Sequence, residues 1–245
     1  MPALDFCMKT SLLSALFALA AANLLSAAGW EEEYAGLLKK YVTPSGVRYA
    51  AWKANPGDLA SLRHVVDGIA GAPAPAGKGS DALAFHLNAY NAWILQEALE
   101  KYPTKSVKDP LFTFFIGNRI TVAGQKMSFN RLEKEIIIPR YGEPRVHVAL
   151  NCASRSCPPL RNEPYTGAKM NAQLDSQSKT FVESSNGVRP TEKGAELSAI
   201  FDWYKEDFGG AGGVLKFINK YRSTPVPDDA RISFQNYDWR LNEAS

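Results

Sequence analysis

The residues best suited to chemistry lie together between Arg145 and Leu160, in the sequence RVHVALNCASRSCPPL. One histidine, His147, and two cysteines, Cys152 and Cys157, fall within eleven residues of the chain. A thiolate beside an imidazole is the pair that cysteine nucleophiles use. The two cysteines can instead form a disulfide, or bind a metal ion together with the histidine. The segment therefore predicts a catalyst, a covalent crosslink or a binding rim.

The first interpretation is a disulfide between Cys152 and Cys157. The four intervening residues can fold back so that the two Cα atoms approach the usual separation of about 5.5 Å. A crosslink over so short a loop would mainly stiffen a turn. The amino terminus predicts export to an oxidising compartment, where disulfides form and persist, so a disulfide is the default expectation.

The second interpretation makes Cys157 a thiolate nucleophile and His147 its base. A neighbouring cation such as Arg155 can lower the pKa of the thiol. Asn91 or Asn88 could orient the imidazole or donate a hydrogen bond to an oxyanion.

Two further interpretations use the same residues. A dithiol that cycles between redox states is possible in chemistry, but four intervening residues do not match the Cys-x-x-Cys pattern. A structural zinc ion usually needs four ligands with short paired spacings, and no fourth ligand stands out. We therefore predict no metal and no cofactor.

Two elements must position these side chains. The residues from Val146 to Leu150 alternate between the two faces of a strand, which predicts a strand that ends at the histidine and cysteine segment. Pro158 and Pro159 follow as a stiff turn, because each fixes φ and offers no backbone donor. The range 82–100 is apolar almost all round, which predicts a helix buried inside a larger fold.

Two asparagines lie three residues apart on one stripe of this helix, Asn88 and Asn91. A buried amide without partners costs about 1–3 kcal/mol, so both need a purpose. They either hold a neighbouring loop through side chain to backbone hydrogen bonds or line a polar pocket. In the second case we expect Asn151 and Arg155 to bind the ligand with them.

The remaining pattern indicates an α+β fold. Further helices are predicted at residues 31–41, 56–70 and 170–183, and a strand at residues 231–239. We expect a single domain whose buried central helix packs on a mainly antiparallel sheet, in a layout loosely like that of papain and the transglutaminases. Those enzymes carry their cysteine at the start of the central helix, and here that helix has none.

The amino terminus predicts export. Lys9 precedes an apolar run from Leu12 to Leu25, and small residues at 26–29 resemble a cleavage site. We read residues 1–28 as a signal peptide, with Met8 as a possible true start, and residues 29–245 as the mature domain. We expect it to be periplasmic or secreted, without stable membrane insertion after cleavage.

Composition limits the partners. The net charge is +3, and lysines and arginines are scattered along the chain of 245 residues rather than gathered in one stripe. This distribution does not favour nucleic acid as a partner. A small molecule or a peptide remains the expected ligand.

Three separated blocks of sequence resemble one known family. They begin at Ala84 (AFHLNAYNA), His147 (HVALNCASRSCPPL) and Tyr237 (YDWRLN), and the resemblance runs from about Tyr34 to Asn242. The family is the domain of unknown function 547, DUF547. The resemblance implies a single-domain exported bacterial protein and supplies no activity. In one departure from the family pattern Phe-Trp-Ile-Asn, a histidine occupies the tryptophan position in the first block.

These observations predict an exported globular domain of unassigned activity, with a polar pocket that binds a small ligand or peptide. The alternative is a cysteine-dependent hydrolase or acyltransferase that acts on amide bonds.

Overall fold

The computed structural model of this chain describes residues 29–108 and 115–245. The predicted signal peptide at residues 1–28 lies outside the described residues. Within the described part the fold is mixed α+β, mostly helical with small sheets. Its helices are α1 (Trp30–Tyr41), α2 (Tyr49–Lys53), α3 (Pro56–Gly71), α4 (Ser80–Lys101), α5 (Ile138–Tyr141), α6 (Val146–Ala149), α7 (Met170–Glu183), α8 (Ala199–Trp203) and α9 (Gly210–Tyr221).

The strands are two to four residues long and form three separate sheets. They are β1 (Val42–Thr43), β2 (Gly46–Val47), β3 (Ile120–Val122), β4 (Gln125–Met127), β5 (Val188–Thr191), β6 (Gly194–Leu197) and β7 (Arg231–Phe234). β1–β2 and β3–β4 are isolated antiparallel pairs. β5 and β6 are antiparallel, and β7 joins β6 in parallel. The helices predicted at 31–41, 56–70 and 170–183 correspond to α1, α3 and α7.

Helix α4 is the central element, as its composition predicts. Seventeen of its 22 residues are buried, so no polar face remains for solvent. Its main neighbours are α3, a π-helical segment (Arg131–Ile137) and a 3₁₀ turn (Gly167–Lys169). The expectation of a mainly antiparallel sheet beneath this helix was wrong, because the strands are too short to build one and helices cover α4 instead.

The predicted strand at residues 146–150 was also wrong, because Val146–Ala149 form the helix α6. All four residues of α6 are buried, including His147 and Ala149, which strand alternation would place on the face opposite Val146 and Val148. A short, fully buried run cannot be distinguished from a buried helix by its periodicity.

Helix α6 lies between two hydrophobic clusters. Val146 and Ala149 pack into the larger cluster, which is built around α1, α3 and α4. Val148 packs into the smaller cluster, formed by α7, the β5–β7 sheet, α8 and α9. The residues that follow α6 therefore emerge at the junction of the two clusters, where ligand sites are often found.

The segment from Tyr237 to Asn242 crosses the loop that carries both cysteines. The predicted strand at 231–239 ends at Phe234, and the chain beyond it donates and accepts backbone hydrogen bonds with that loop. The Arg155 N–H donates to the Arg240 carbonyl at 2.8 Å, and the Asn242 N–H donates to the Ala153 carbonyl at 2.9 Å. These backbone hydrogen bonds hold the cysteine loop, residues 152–157, in place.

Among the helices that the structure describes, none combines the length and apolar character needed to span a bilayer.

Candidate functional site

The cysteine loop, residues 152–157, begins with a strained turn. Ala153 has φ 61°, in the left-handed region that residues other than glycine rarely adopt. The turn is held because the Ala153 N–H donates to the Asn151 side-chain oxygen at 2.8 Å. It reverses the chain and brings Cys157 back over Cys152.

Both cysteines are free thiols, so the predicted disulfide was wrong. The two sulfurs are 2.7 Å apart, beyond the bond length of about 2.05 Å. Cys157 donates its S–H to the Cys152 sulfur and accepts the Cys152 backbone N–H at 2.8 Å. The pair is therefore held by hydrogen bonds rather than by a covalent bond.

Cys152 is the more acidic of the two. Burial raises the pKa of its thiol, but hydrogen bonds from Cys157, Ser154 and Tyr237 outweigh burial and lower the pKa to about 7. The Ser154 and Tyr237 hydroxyls lie 2.9 Å and 3.2 Å from its sulfur. Burial first, and then the neighbouring Cys152, raise the pKa of Cys157. The thiolate therefore forms at Cys152, and Cys157 stays protonated as a donor.

His147 has a carboxylate partner that the sequence did not reveal. Its Nε2 lies 2.9 Å from an Asp207 carboxylate oxygen, and its ring stacks on Tyr204 with centroids 4.1 Å apart. Because a carboxylate only accepts, Nε2 carries the proton and Nδ1 holds the lone pair. Burial lowers the pKa of His147, and Asp207 opposes that shift.

Glu133 is a second carboxylate that sequence reasoning missed. It lies on the π-helical segment and accepts hydrogen bonds from Tyr90 at 3.0 Å and from Tyr204 at 2.5 Å. Short π-helical stretches often occur at functional sites. Tyr204 is thus held at two places: its hydroxyl donates to Glu133, and its ring face stacks on His147.

Cys152, Cys157, His147 and Glu133 line one cavity of about 390 Å³. Aromatic side chains form the mouth: Trp203 and Trp239 stack with centroids 5.8 Å apart, and Trp203 is 50 % exposed. The cavity can therefore hold a small substrate against the sulfur and the imidazole.

The helix asparagines hold loops instead of lining this cavity. Asn91 donates to the Ala149 carbonyl at 3.0 Å and accepts the Asn151 N–H at 2.9 Å. Asn88 makes the equivalent pair of bonds with the backbone of Tyr165. Of the two purposes considered for these amides, the structure supports the holding of neighbouring backbone.

Asn151 and Arg155, the other predicted ligand-binding residues, are placed differently. Asn151 is buried, and its amide donates to the Pro158 carbonyl at 2.8 Å, which closes the cysteine loop. Arg155 lies on the opposite side of the loop and lines a second cavity of about 410 Å³.

Within residues 29–108 and 115–245, no group of three or more His, Cys, Asp or Glu side chains is arranged to hold a metal ion.

Residues 77–182 match the model of the family described as "Protein of unknown function, DUF547". This range contains α4, α6 and both cysteines, and is shorter than the resemblance seen in the sequence. The elements that supply Asp207 and Tyr237 lie beyond it. Neither the curated proteins nor the solved structures give a significant match to this chain.

Proposed function

We propose that this protein is a cysteine-dependent hydrolase or acyltransferase that acts on amide bonds, with Cys152 as its nucleophile. The observation that carries the proposal is the environment of the Cys152 sulfur. Cys157 donates its S–H to this sulfur, and the Tyr237 and Ser154 hydroxyls lie beside it, with Ser154 donating to the Tyr237 hydroxyl at 3.0 Å. These contacts lower the pKa of Cys152 to about 7, which makes it a partly ionised thiol near neutral pH. A thiol that serves only packing has no need of such donors.

The choice of Cys152 replaces the predicted Cys157. Cys157 is only 7 % exposed. If Cys157 were the nucleophile, its thiol would lose the proton with which it donates a hydrogen bond to the Cys152 sulfur. Cys152 is half-buried and lines the cavity, so a substrate carbonyl can reach it. Cys157 then acts as a positioning residue that stabilises the thiolate.

His147 and Asp207 supply the proton transfers. The Cys152 thiol gives its proton to His147 Nδ1, and the thiolate attacks the carbonyl carbon as the carbonyl π electrons move to oxygen. The imidazolium, stabilised by the Asp207 carboxylate, then protonates the leaving amine as the C–N bond breaks. Amide cleavage needs this acid, because an unprotonated amine is a poor leaving group.

The second half of the reaction restores the enzyme. A water molecule, or an amine in the transferase case, gives a proton to His147 and attacks the thioester carbon. The C–S bond breaks, and the thiolate returns to its donors. While the sulfur is acylated, the Tyr237 hydroxyl, which lines the same cavity, no longer bonds to a thiolate and can donate to the developing oxyanion.

Binding of a small ligand or peptide without chemistry is the other function expected from the sequence. Two features favour catalysis: the lowered pKa of Cys152 and the carboxylate behind His147.

Trapping the acyl-enzyme tests the proposal. The protein is mixed with p-nitrophenyl acetate, and we expect a mass gain of one acetyl group that maps to Cys152. Cys152→Ser should abolish both the adduct and the burst of p-nitrophenol. Cys157→Ser should keep the adduct, because serine still offers a donor. An adduct on another residue, or an unchanged burst in Cys152→Ser, would overturn the assignment.

Asp207→Asn tests the role given to the histidine. The amide cannot stabilise an imidazolium, so deacylation should slow while the pH midpoint for alkylation of Cys152 changes little. Equal rates of deacylation in the variant and the parent would remove His147 and Asp207 from the mechanism.

Export is part of the same proposal. Lys9 and the apolar run that follows it support a periplasmic or secreted enzyme. Amino-terminal sequencing of the protein from its native cells tests this, with a start near residue 29 as the expected result and an intact amino terminus as the contrary one.

A further inference from the structure

A second cavity of about 410 Å³ lies behind the cysteine loop. Its walls are the β1–β2 hairpin, residues 154–162 and the carboxyl-terminal half of α7. Cys157 lines both cavities, and Ser154, which contacts the Cys152 sulfur, lines the second. The cysteine loop is therefore a thin partition between two pockets.

The second cavity differs in character from the first. Among the described residues that line it, none is aromatic and none is Asp or Glu, whereas two arginines, Arg155 and Arg161, face it. Its other polar side chains are uncharged and come from Ser, Thr, Asn and Gln residues. The wall thus offers positive charge and many hydrogen bonds, and the Glu163 carboxylate that pairs with Arg161 lies outside the lining.

The two guanidinium groups are only partly neutralised. Arg155 is exposed and makes no ion pair among the described residues. Arg240 first, and then Arg155, lower the pKa of Asp238, so this carboxylate offsets part of the charge of Arg155. Arg161 pairs with Glu163 at 2.5 Å, but its Nε is buried and has no hydrogen-bond partner among the described residues. Arginine recognises phosphate and carboxylate through several N–H groups at once, so the exposed guanidinium of Arg155 in a concave site indicates an anionic ligand.

We propose that this second cavity binds a small hydrophilic anion carrying phosphate or carboxylate groups. Its volume falls in the range of about 300–1,000 Å³ that is typical of small-molecule sites. The absence of aromatic lining residues disfavours a planar or apolar ligand.

The partition couples this site to the nucleophile. Ser154 and Cys157 both contact the Cys152 sulfur, and both also border the second cavity. A bound anion places negative charge behind the thiolate and so disfavours ionisation of Cys152. The ligand therefore slows reactions of this thiol, and by linkage the thiolate weakens binding of the ligand. Binding of the anion does not depend on the proposed function. Only the effect of the anion on catalysis rests on that function.

The test uses inorganic phosphate and citrate as probes, with chloride at the same ionic strength as the reference. Two readouts are followed at pH 6.5: the midpoint temperature of unfolding and the rate of Cys152 alkylation by iodoacetamide. We expect at least one probe to raise the midpoint temperature saturably and to slow alkylation about fivefold or more, a typical size for coupling between sites. The stronger probe identifies which acid group the site prefers.

Arg155→Gln is the informative variant, because the backbone of Arg155 holds the loop and its side chain is exposed. It should abolish both probe effects. Arg189→Gln is the matched control, since Arg189 is an exposed arginine on β5 whose ion partner is Glu196. Probe effects that do not saturate, or that are equal in the two variants, would overturn the proposal. An anion effect in a protein that forms no acyl-enzyme would leave this site standing and remove the proposed catalysis alone.

Discussion

Replacing Tyr237 with phenylalanine removes one donor from the Cys152 sulfur and leaves the ring in place. The tyrosine hydroxyl lies 3.2 Å from that sulfur, and burial keeps the pKa of Tyr237 well above its usual value. The phenol therefore stays protonated and donates. Its ring packs against Trp203 and Trp239, contacts that phenylalanine retains.

The size of the effect follows from the hydrogen bond that is lost. A hydrogen bond to a charged group contributes about 1.5–3 kcal/mol, and this contact is the longest of the three side-chain contacts of the sulfur, so we take the lower figure. Because one pKa unit corresponds to about 1.4 kcal/mol, the pKa of Cys152 should rise by about one unit from its value of about 7.

At pH 6 this shift reduces the thiolate fraction about tenfold. The remaining thiolate is about threefold more nucleophilic, because nucleophilicity increases with pKa. The observed rate constant for alkylation should therefore fall about threefold at pH 6, and the midpoint of the pH profile should move up by about one unit.

The assay measures alkylation of Cys152 by iodoacetamide from pH 5 to 9, with the modified peptide quantified by mass spectrometry. Tyr204→Phe is the matched control, because the Tyr204 hydroxyl lines the same cavity but donates to Glu133. A midpoint in Tyr237→Phe within about 0.3 unit of the parent, equivalent to about 0.4 kcal/mol, would refute the reasoning.

Three further predictions concern stability. Gly46→Ala should lower the free energy of unfolding by about 2 kcal/mol or more in urea denaturation, because φ is 135° there and a Cβ would lie 2.2 Å from the Asn242 carbonyl oxygen. An unchanged urea midpoint would contradict the close packing of the segment that crosses the cysteine loop. Asn91→Ala should cost about 2–4 kcal/mol, because it leaves a buried carbonyl and a buried N–H without partners; a loss below about 1 kcal/mol would show that these groups find other partners. Burial lowers the pKa of His86 in the folded protein, so the unfolded chain binds more protons as the pH falls below about 6.5. The free energy of unfolding should therefore decrease from pH 7 to 5. His86→Phe should make this decrease smaller, and an equal decrease in the variant would contradict the assignment.

The sequence predicts the helices of this protein better than its sheets. The range 82–100 is apolar almost all round, a composition typical of a buried helix. The residues of α6 were harder, because Val146 to Ala149 are all buried and alternation loses its meaning when both faces are covered. The strands have only two to four residues, too few for a recognisable alternation.

His147 and both cysteines lie close together in the chain, and the three side chains line one cavity. The two helix asparagines do not line it, because their amides bond to backbone groups. Asp207 and Tyr237 were missed as partners because they lie 60 and 85 residues away from the groups they contact. No local pattern encodes such contacts, since they depend on how α8, the following 3₁₀ turn and the segment from Tyr237 to Asn242 fold back.

The 85-residue separation between Cys152 and Tyr237 has a consequence for biosynthesis. A ribosome adds residues in order, so the nascent polypeptide contains both thiols and Ser154 before it contains Tyr237, the last of the three side chains that lower the pKa of Cys152. The emerging chain therefore lacks one of these contacts. The set is complete only once the downstream part has been made and has docked.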